Sequence, residues 1–305
     1  MEDMSPERSR KRDLLNRVAN LPYFLIWQLL RMVTRFFNLL KSGFGTRLLD
    51  SLVFKSESRR IKVKHKAANK SEINLEFFTP NFVCEWRANT FSSKEPETLK
   101  WIDEYGGDGA FFDIGANIGL YSIYYAKSKS GKVFAFEPSV LNTKQLVKNI
   151  ALNEASGLVS VLTAPLTDRD GFATFKHSSL DEGGALSSFG VNYGQDGTGF
   201  QETLSYSLLG FTLDSLVELG LIPGNPRLIK IDVDGIEHLI LRGAEKTLKN
   251  QDCISVLVEV TPKFSEQVSG VTRCLTEAGF TLQKSHADKN PNGHNQIWVR
   301  EKKDS

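Results

Sequence analysis

The chain has 305 residues, 40% of them hydrophobic and 24% charged, with a formal net charge of +2; this is enough for one substantial core but a squeeze for two full-sized domains. Three cysteines, Cys84, Cys253 and Cys274, are too few and too scattered for a disulfide framework or a cysteine-built metal site, which fits a reducing, cytoplasmic compartment. Residues 1–70 carry about 16 Lys/Arg against 6 Asp/Glu and the remainder about 22 against 30, so the basic character belongs to an N-terminal arm, and the acidic remainder argues against a nucleic-acid partner.

In chain order, residues 1–12 are highly charged, and apolar residues dominate from Asp13 to about Phe54. The longest uncharged run, Val18 to Leu30, is about 13 residues, short of the 18 or more that a membrane span needs, and no small-x-small cleavage site follows it. Gln28, Arg31, Thr34, Arg35, Asn38 and Lys41 recur at three- to four-residue steps, which places them on one narrow stripe of a helix whose remaining circumference is apolar. Such a helix suits either packing and self-association or peripheral contact with a membrane surface, and residues 13–54 are the candidate segment. Lys62, Lys64, Lys66 and Lys70 read as a solvated connector, with anionic-lipid binding as the minority alternative. The domain reading is therefore a basic amphipathic extension and linker over 1–70 and a catalytic domain over 71–305.

Beyond Ile73, β-branched and aromatic segments alternate with helical ones, which predicts a doubly wound, mostly parallel sheet with helices on both faces. Strands are expected at Ala110–Asp113, Lys132–Glu137, Val159–Ala164, Leu228–Asp232 and Ser255–Glu259, and helices at Ile118–Lys129, Val140–Asn153, Leu213–Leu219, Glu237–Lys249 and Pro262–Gly279, the last with Thr261 as N-cap. Strands at Thr281–Lys284 and Gln296–Arg300 complete seven with an antiparallel edge. The Gly- and Ser-rich stretch from His177 to Gly210 has no sustained period and reads as a structureless lid over the site.

The chemistry concentrates where strands end. Asp113 closes the first parallel strand, Gly115 and Gly119 bracket a tight turn with Asn117 between them, and a helix follows; this is a strand-turn-helix ligand cradle. Glycine there is expected to let the backbone approach the ligand. A nicotinamide dinucleotide would want G-x-G-x-x-G, whereas an acid just ahead of G-x-x-x-G suits a ligand with an ammonium group and no pyrophosphate. Glu137, ending the second strand, is placed to accept hydrogen bonds from ribose hydroxyls. The two carboxylates together suit S-adenosylmethionine.

Phe112-Asp113-Ile114-Gly115-Ala116-Asn117-Ile118-Gly119-Leu120-Tyr121-Ser122, Ala135-Phe136-Glu137-Pro138, Ile229-Lys230-Ile231-Asp232-Val233-Asp234-Gly235-Ile236-Glu237, Arg242-Gly243-Ala244 and the upstream Glu95-Pro96-Glu97-Thr98 together resemble the FkbM-type S-adenosylmethionine-dependent methyltransferases over roughly residues 85–300. The resemblance implies a Rossmann-like class I methyltransferase fold and methyl transfer, mainly to hydroxyl oxygens of sugars, natural products and related small-molecule or glycan acceptors. It assigns Asp113, Gly115, Asn117 and Gly119 to the methionine end of the cofactor and Glu137 to its ribose. The adenine contact is left open, because Thr163-Ala164-Pro165-Leu166 intervenes before Asp168.

Asp232, at the end of the fourth strand, is the first candidate for a base or acceptor-positioning group, and His238 is the second. Asp232 and Glu259 close neighbouring strands in a manner that can suit Mg²⁺ or Ca²⁺, but without a third convergent ligand they are read as a hydrogen-bonding pair and no metal is assigned. Two alternatives stand beside methyl transfer: an NAD-binding oxidoreductase and a non-catalytic, membrane-recruited nucleoside-binding module.

Overall fold

The computed structural model describes residues 25–39, 42–199, 201–285 and 293–300; the charged stretch 1–12, the apolar block up to residue 24 and Lys41 lie outside the described residues. The chain divides after Arg59 into two compact units.

In the first unit, helix α1 (25–39) turns at Gly43 into α2 (Phe44–Glu57). The two helices touch at Gly45, where a Cβ would fall 2.1 Å from the Thr34 carbonyl oxygen. Asn38 Oδ1 accepts hydrogen bonds from the Gly45 and Thr46 amides at 2.9 and 3.4 Å, which satisfies donors that the start of α2 leaves free. The polar stripe of α1 is thus in part its contact with α2, not a solvated face.

The second unit opens with an antiparallel hairpin, β1 (Arg60–Lys66) and β2 (Glu72–Phe78). Lys62, Lys64 and Lys66 lie on its exposed face, so they belong to a strand and not to a connector, and Lys64 Nζ pairs with Glu72 at 3.1 Å. Side chains of the later helix α6 (Val140–Leu152) and its C-cap, Asn153, serve β2 as a surrogate strand. Asn153 Oδ1 accepts from the Glu76 amide at 3.0 Å while its Nδ2 donates to the Glu76 carbonyl at 2.7 Å, and Asn149 Oδ1 accepts from the Phe78 amide at 2.8 Å. An edge that would otherwise present unpaired backbone groups is closed in this way.

Helices α3 (Phe82–Asn89) and α4 (Pro96–Tyr105) follow, the latter with Pro96 in its first turn where a missing amide hydrogen is harmless. The central strand β3 (Ala110–Ile114) is buried at all five positions, as a continuous apolar run requires when both faces are covered. With α5 (Leu120–Lys129), β4 (Val133–Phe136), β5 (Val159–Leu162), β9 (Pro226–Ile231), β10 (Ser255–Val260), β11 (Phe280–Ser285) and β12 (His294–Arg300), it builds a seven-stranded sheet of order β11-β12-β10-β9-β3-β4-β5. Only β12 runs against the others. This is the doubly wound, Rossmann-like sheet expected of the sequence.

Alternation along the strands separates two apolar layers. Phe112, Ile229 and Val256 face the core shared with α7 (Leu213–Glu218), α8 (Glu237–Arg242) and α10 (Ser265–Glu277), while Phe111, Leu228 and Leu257 face Trp101, Tyr125 and Leu146 of α4, α5 and α6. The strand order reverses between β3 and β9, and the loops leaving their carboxyl ends open the crevice where ligands of such sheets bind.

Three expectations change. The 237–249 helix is broken into α8 and α9 (Glu245–Leu248) at Gly243, where a Cβ would lie 2.2 Å from the Thr167 carbonyl oxygen. Helix α10 begins at Ser265, not Pro262: residues 261–264 form a turn closed by the Phe264 amide donating to the Thr261 carbonyl at 2.9 Å. The 177–210 stretch is also not structureless: β7 (Ser187–Phe189) and β8 (Leu204–Gly210) flank β6 (Gly171–His177) in a separate three-stranded antiparallel sheet.

Replacing Asn149 or Asn153 by alanine removes the partners of buried β2 backbone groups, so each variant is expected to lose about 1–3 kcal/mol, measured by urea unfolding; an unchanged midpoint would show that β2 does not depend on these side chains.

Candidate active site

A cavity of about 320 Å³ sits at the carboxyl ends of β3, β4, β9 and β10. At its floor the backbone crosses at close range: Gly115, at φ 85°, lies so near the β9 loop that a Cβ would fall 1.9 Å from the Asp232 carbonyl oxygen. Glycine is required there to let two protein segments meet, and the residue also lines the cavity. Gly119 caps α5 and does not line the cavity; a Cβ there would strike Leu146 Cδ1 at 2.6 Å. Asn117, at φ 51°, lines the wall, and its Nδ2 donates to the Gly184 carbonyl at 2.9 Å.

Glu137 is buried yet lines the cavity. One carboxylate oxygen accepts from the Asn117 amide at 2.7 Å and the other from the Ser139 amide at 2.9 Å, the Asn142 side chain also donates to this carboxylate, and these three donors leave acceptor capacity over. Burial pushes its carboxyl up to about 7, although those backbone donors favour the ionised form. Phe136, Leu166, Phe175, Phe189 and Ile240 add apolar walls, a slot that fits a flat aromatic base. Asp168 instead pairs with Arg242 at 3.1 Å.

On the other side lies a buried charge network. Asp113 and Lys230 are register partners on β3 and β9, both only 1% exposed. Lys230 Nζ donates to Asp232 Oδ2 at 2.7 Å and lies 5.2 Å from the Tyr121 ring centroid. Burial alone would favour a neutral amine, but the flanking Asp232 and Asp113 carboxylates hold Lys230 protonated. Burial would likewise raise Asp232; the ammonium groups of Lys230 and Lys94 outweigh it and keep this carboxyl well below the usual range. Glu259 shows the opposite: burial, then the adjacent Asp232 charge, holds it protonated and hydrogen-bonded to Asp232. Gln195 Nε2 donates to Glu259 Oε2 at 3.1 Å.

The structure therefore brings Gly115, Asn117, Glu137 and Asp232 to one cavity and leaves Asp113, Gly119 and His238 outside it. Asp113 lies behind the wall, where its Oδ2 accepts from Ser122 Oγ at 2.5 Å, and burial pushes its carboxyl up. It acts on the site through Lys230. His238 is neither a surface group nor a neighbour of Asp232. It is packed between α8 and α10, against Phe264 at 5.7 Å, with both ring nitrogens lacking a hydrogen-bond partner among the described residues. Glu237 pins the β9–α8 turn by accepting from the Val233 and Gly235 amides.

Comparison with known proteins settles the family. The sequence profile of the Methyltransferase FkbM domain matches residues 113–282. The chain belongs to the FkbM methyltransferase family. It is 28% identical over 209 residues to the hexuronic acid methyltransferase AglP of Haloferax volcanii, covering 68% of this chain and 78% of that protein. It is 27% identical over 212 residues to the methyltransferase sdnD of Sordaria araneosa, covering 62% and 80%. Among solved structures, a methyltransferase FkbM from Methylobacillus flagellatus is similar with a TM-score of 0.42 and 14% identity, over 63% of this chain and 43% of that one.

Several lining residues of this FkbM chain escape a reading based on strand ends. Trp86, Arg87 and Lys94 come from α3 and the loop after it, Asn142 from α6, and Gly184–Phe189 and Gln195 from the insertion around β7. Asn142 binds the insertion from both sides: its Oδ1 accepts from the Gly183 amide at 2.8 Å and its Nδ2 donates to the Gly184 carbonyl at 3.2 Å. Asp234 Oδ2 accepts from the Ser187 amide at 3.0 Å. The insertion is thus a pinned wall of the site. The Gly- and Ser-rich composition of 177–210 marks it as a cover over the site, but neither its strands nor the side chains that tie it down are readable from that pattern.

Two outcomes follow. Lys230→Met leaves the buried Asp113 and the partly buried Asp232 without the Lys230 counter-charge and is expected to cost about 3–5 kcal/mol. Both carboxyls would then bind protons more tightly folded than unfolded, so the deficit relative to the unaltered chain should grow as pH rises from about 4 to 8; a pH-independent deficit in thermal unfolding would contradict the network. For Glu137, only the ionised carboxylate accepts from a diol at both oxygens, so affinity for an adenosine-containing ligand should rise with pH through about 7. Calorimetry on Glu137→Gln should show weaker binding with that rise abolished.

Proposed function

We propose that this chain transfers a methyl group from S-adenosylmethionine to a hydroxyl oxygen of a glycan, glycolipid or related small acceptor. What supports this reading is that one cavity is lined both by Glu137, a buried carboxylate, and by Asp232, an ionised carboxylate held by the buried ammonium of Lys230. The residues present fit the cofactor: Glu137 with acceptor capacity left for the ribose, the Phe136, Phe175 and Phe189 slot for the base, and the Gly115–Asn117 turn for the amino-acid end. When bound, S-adenosylmethionine supplies an already activated methyl.

The protein's task is then alignment, water exclusion and removal of one proton. The insertion and α3 close the cavity over the acceptor. Asp232 would accept the hydrogen bond of the attacking hydroxyl, orient its lone pair toward the methyl group and take up the proton that the hydroxyl releases. Lys230 stabilises the carboxylate in position, and protonated Glu259 holds its second flank. A groove that shares Leu186 and Gln195 with the cavity and is lined by Asp196, Thr198, Thr261 and Lys263 offers polar contacts to neighbouring units of a polyhydroxylated acceptor. The hexuronic acid of the relative's name is also a sugar.

The test is a panel of sugars, uronic acids and lipid-linked glycans offered with methyl-labelled S-adenosylmethionine. The expected product is an alkali-stable ether; release of the label by mild base would show a carboxylate acceptor and a methyl ester instead. Asp232→Asn should lower kcat by about 10²–10⁴-fold while cofactor affinity stays within about threefold.

A further inference from the structure

The outer face of the N-terminal helical unit has no role in the cavity. Along α1, Leu25, Leu29, Met32, Phe36 and Leu39 are each more than half exposed, and their spacing puts them on one stripe. Thr34 and Asn38, which meet α2, lie on the opposite side. The hairpin contact is therefore complete on one face and leaves a continuous apolar line on the other. Arg31 and Arg35 lie on one side of that line, between it and the α2 contact, and α2 adds Arg47 and Lys55. None of these four is in an ion pair among the described residues, and the acids of the described part of this unit are Asp50 and Glu57.

We infer that this face lies flat on an anionic lipid surface, with the stripe in the acyl boundary and the arginines at the headgroups. Charge decides between the candidate partners. A second copy would bring the same stripe, with arginines along one side, against itself, whereas phosphate headgroups supply the missing anions next to an apolar phase. Length decides the geometry. The longest uncharged run of the segment, Val18 to Leu30, is about 13 residues, short of the 18 or more of a span, Arg31 and Arg35 follow it, and no helix among the described residues is long and apolar enough to cross a membrane. The inference does not depend on the acceptor, although a membrane-bound enzyme would meet lipid-linked glycans at high local concentration.

The full chain would be tested by flotation with phosphatidylcholine vesicles with and without phosphatidylglycerol, alongside Leu29→Asp/Phe36→Asp and Arg31→Glu/Arg35→Glu. The expected results are binding to the anionic vesicles, at least tenfold weaker partition for either double variant, and weakening at high salt for the unaltered chain, with unchanged cofactor affinity showing that the catalytic unit is intact. Binding that is absent, or equal in all three proteins, overturns the inference. So does sedimentation velocity showing a dimer that Leu29→Asp/Phe36→Asp converts to monomer without vesicle binding, since the stripe would then serve a second copy.

Discussion

One buried ammonium organises the functional end of the sheet. Lys230 stands on β9 with Asp113 beside it on β3 and Asp232 two residues ahead on the same face, and without it two carboxylates would share a desolvated space. Its charge keeps Asp232 ionised, and burial, followed by the Asp232 charge, pushes the Glu259 carboxyl well above the usual range. Such an arrangement is a poor way to gain stability, since desolvating ions costs several kcal/mol each that pairing only partly returns. It is a good way to fix protonation states before a substrate arrives, which is what catalysis by a preorganised polar environment requires. The order of the strands makes this possible, because the reversal between β3 and β9 is where two chain segments leave the sheet in opposite directions and their carboxyl ends stay uncovered.

What covers the crevice is supplied from elsewhere in the chain. The insertion around β7 is tied down by Asn142, Asn117, Asp234 and Gln195, four polar side chains that each satisfy a backbone group or a carboxyl of the opposing wall. Helix α3 contributes Trp86 and Arg87 from before the sheet begins, and Arg87 Nε also donates to the Gly183 carbonyl, at 2.6 Å. The walls from before and after the cofactor turn are thus held to each other as well as to the floor. The cavity is shaped by contacts that join residues 41 to 96 positions apart.

The centre of the sheet was legible because β3, β4 and β9 are buried at nearly every position and therefore read as apolar runs followed by acids: Ala110–Asp113, Lys132–Glu137 and Leu228–Asp232 all mark real strand ends. The site was legible only in part. Glu137 and Asp232 lie where strand-end reasoning puts them, but Asp113, at an equivalent strand end, turns to the α5 side and hydrogen-bonds Ser122, which no one-dimensional pattern reveals. The glycines of the turn were visible and their reason was not, since Gly115 accommodates the Asp232 carbonyl and Gly119 accommodates Leu146, both distant in sequence. His238 depends on Gly270 of α10, where a Cβ would lie 2.8 Å from its own. The three-residue strand β7, in a stretch dense with glycine, is too short to show a period.

The account places the cofactor's ribose on Glu137 and its base among Phe136, Phe175 and Phe189, with the acceptor end at Asp232. A crystal structure of the full chain with S-adenosylhomocysteine tests this most directly. The predicted result is both ribose hydroxyls within hydrogen-bond distance of the Glu137 carboxylate and the sulfur facing Asp232. A nucleoside bound elsewhere, or one in this cavity with Glu137 still bonded only to the Asn117 and Ser139 amides and the Asn142 side chain, would contradict it.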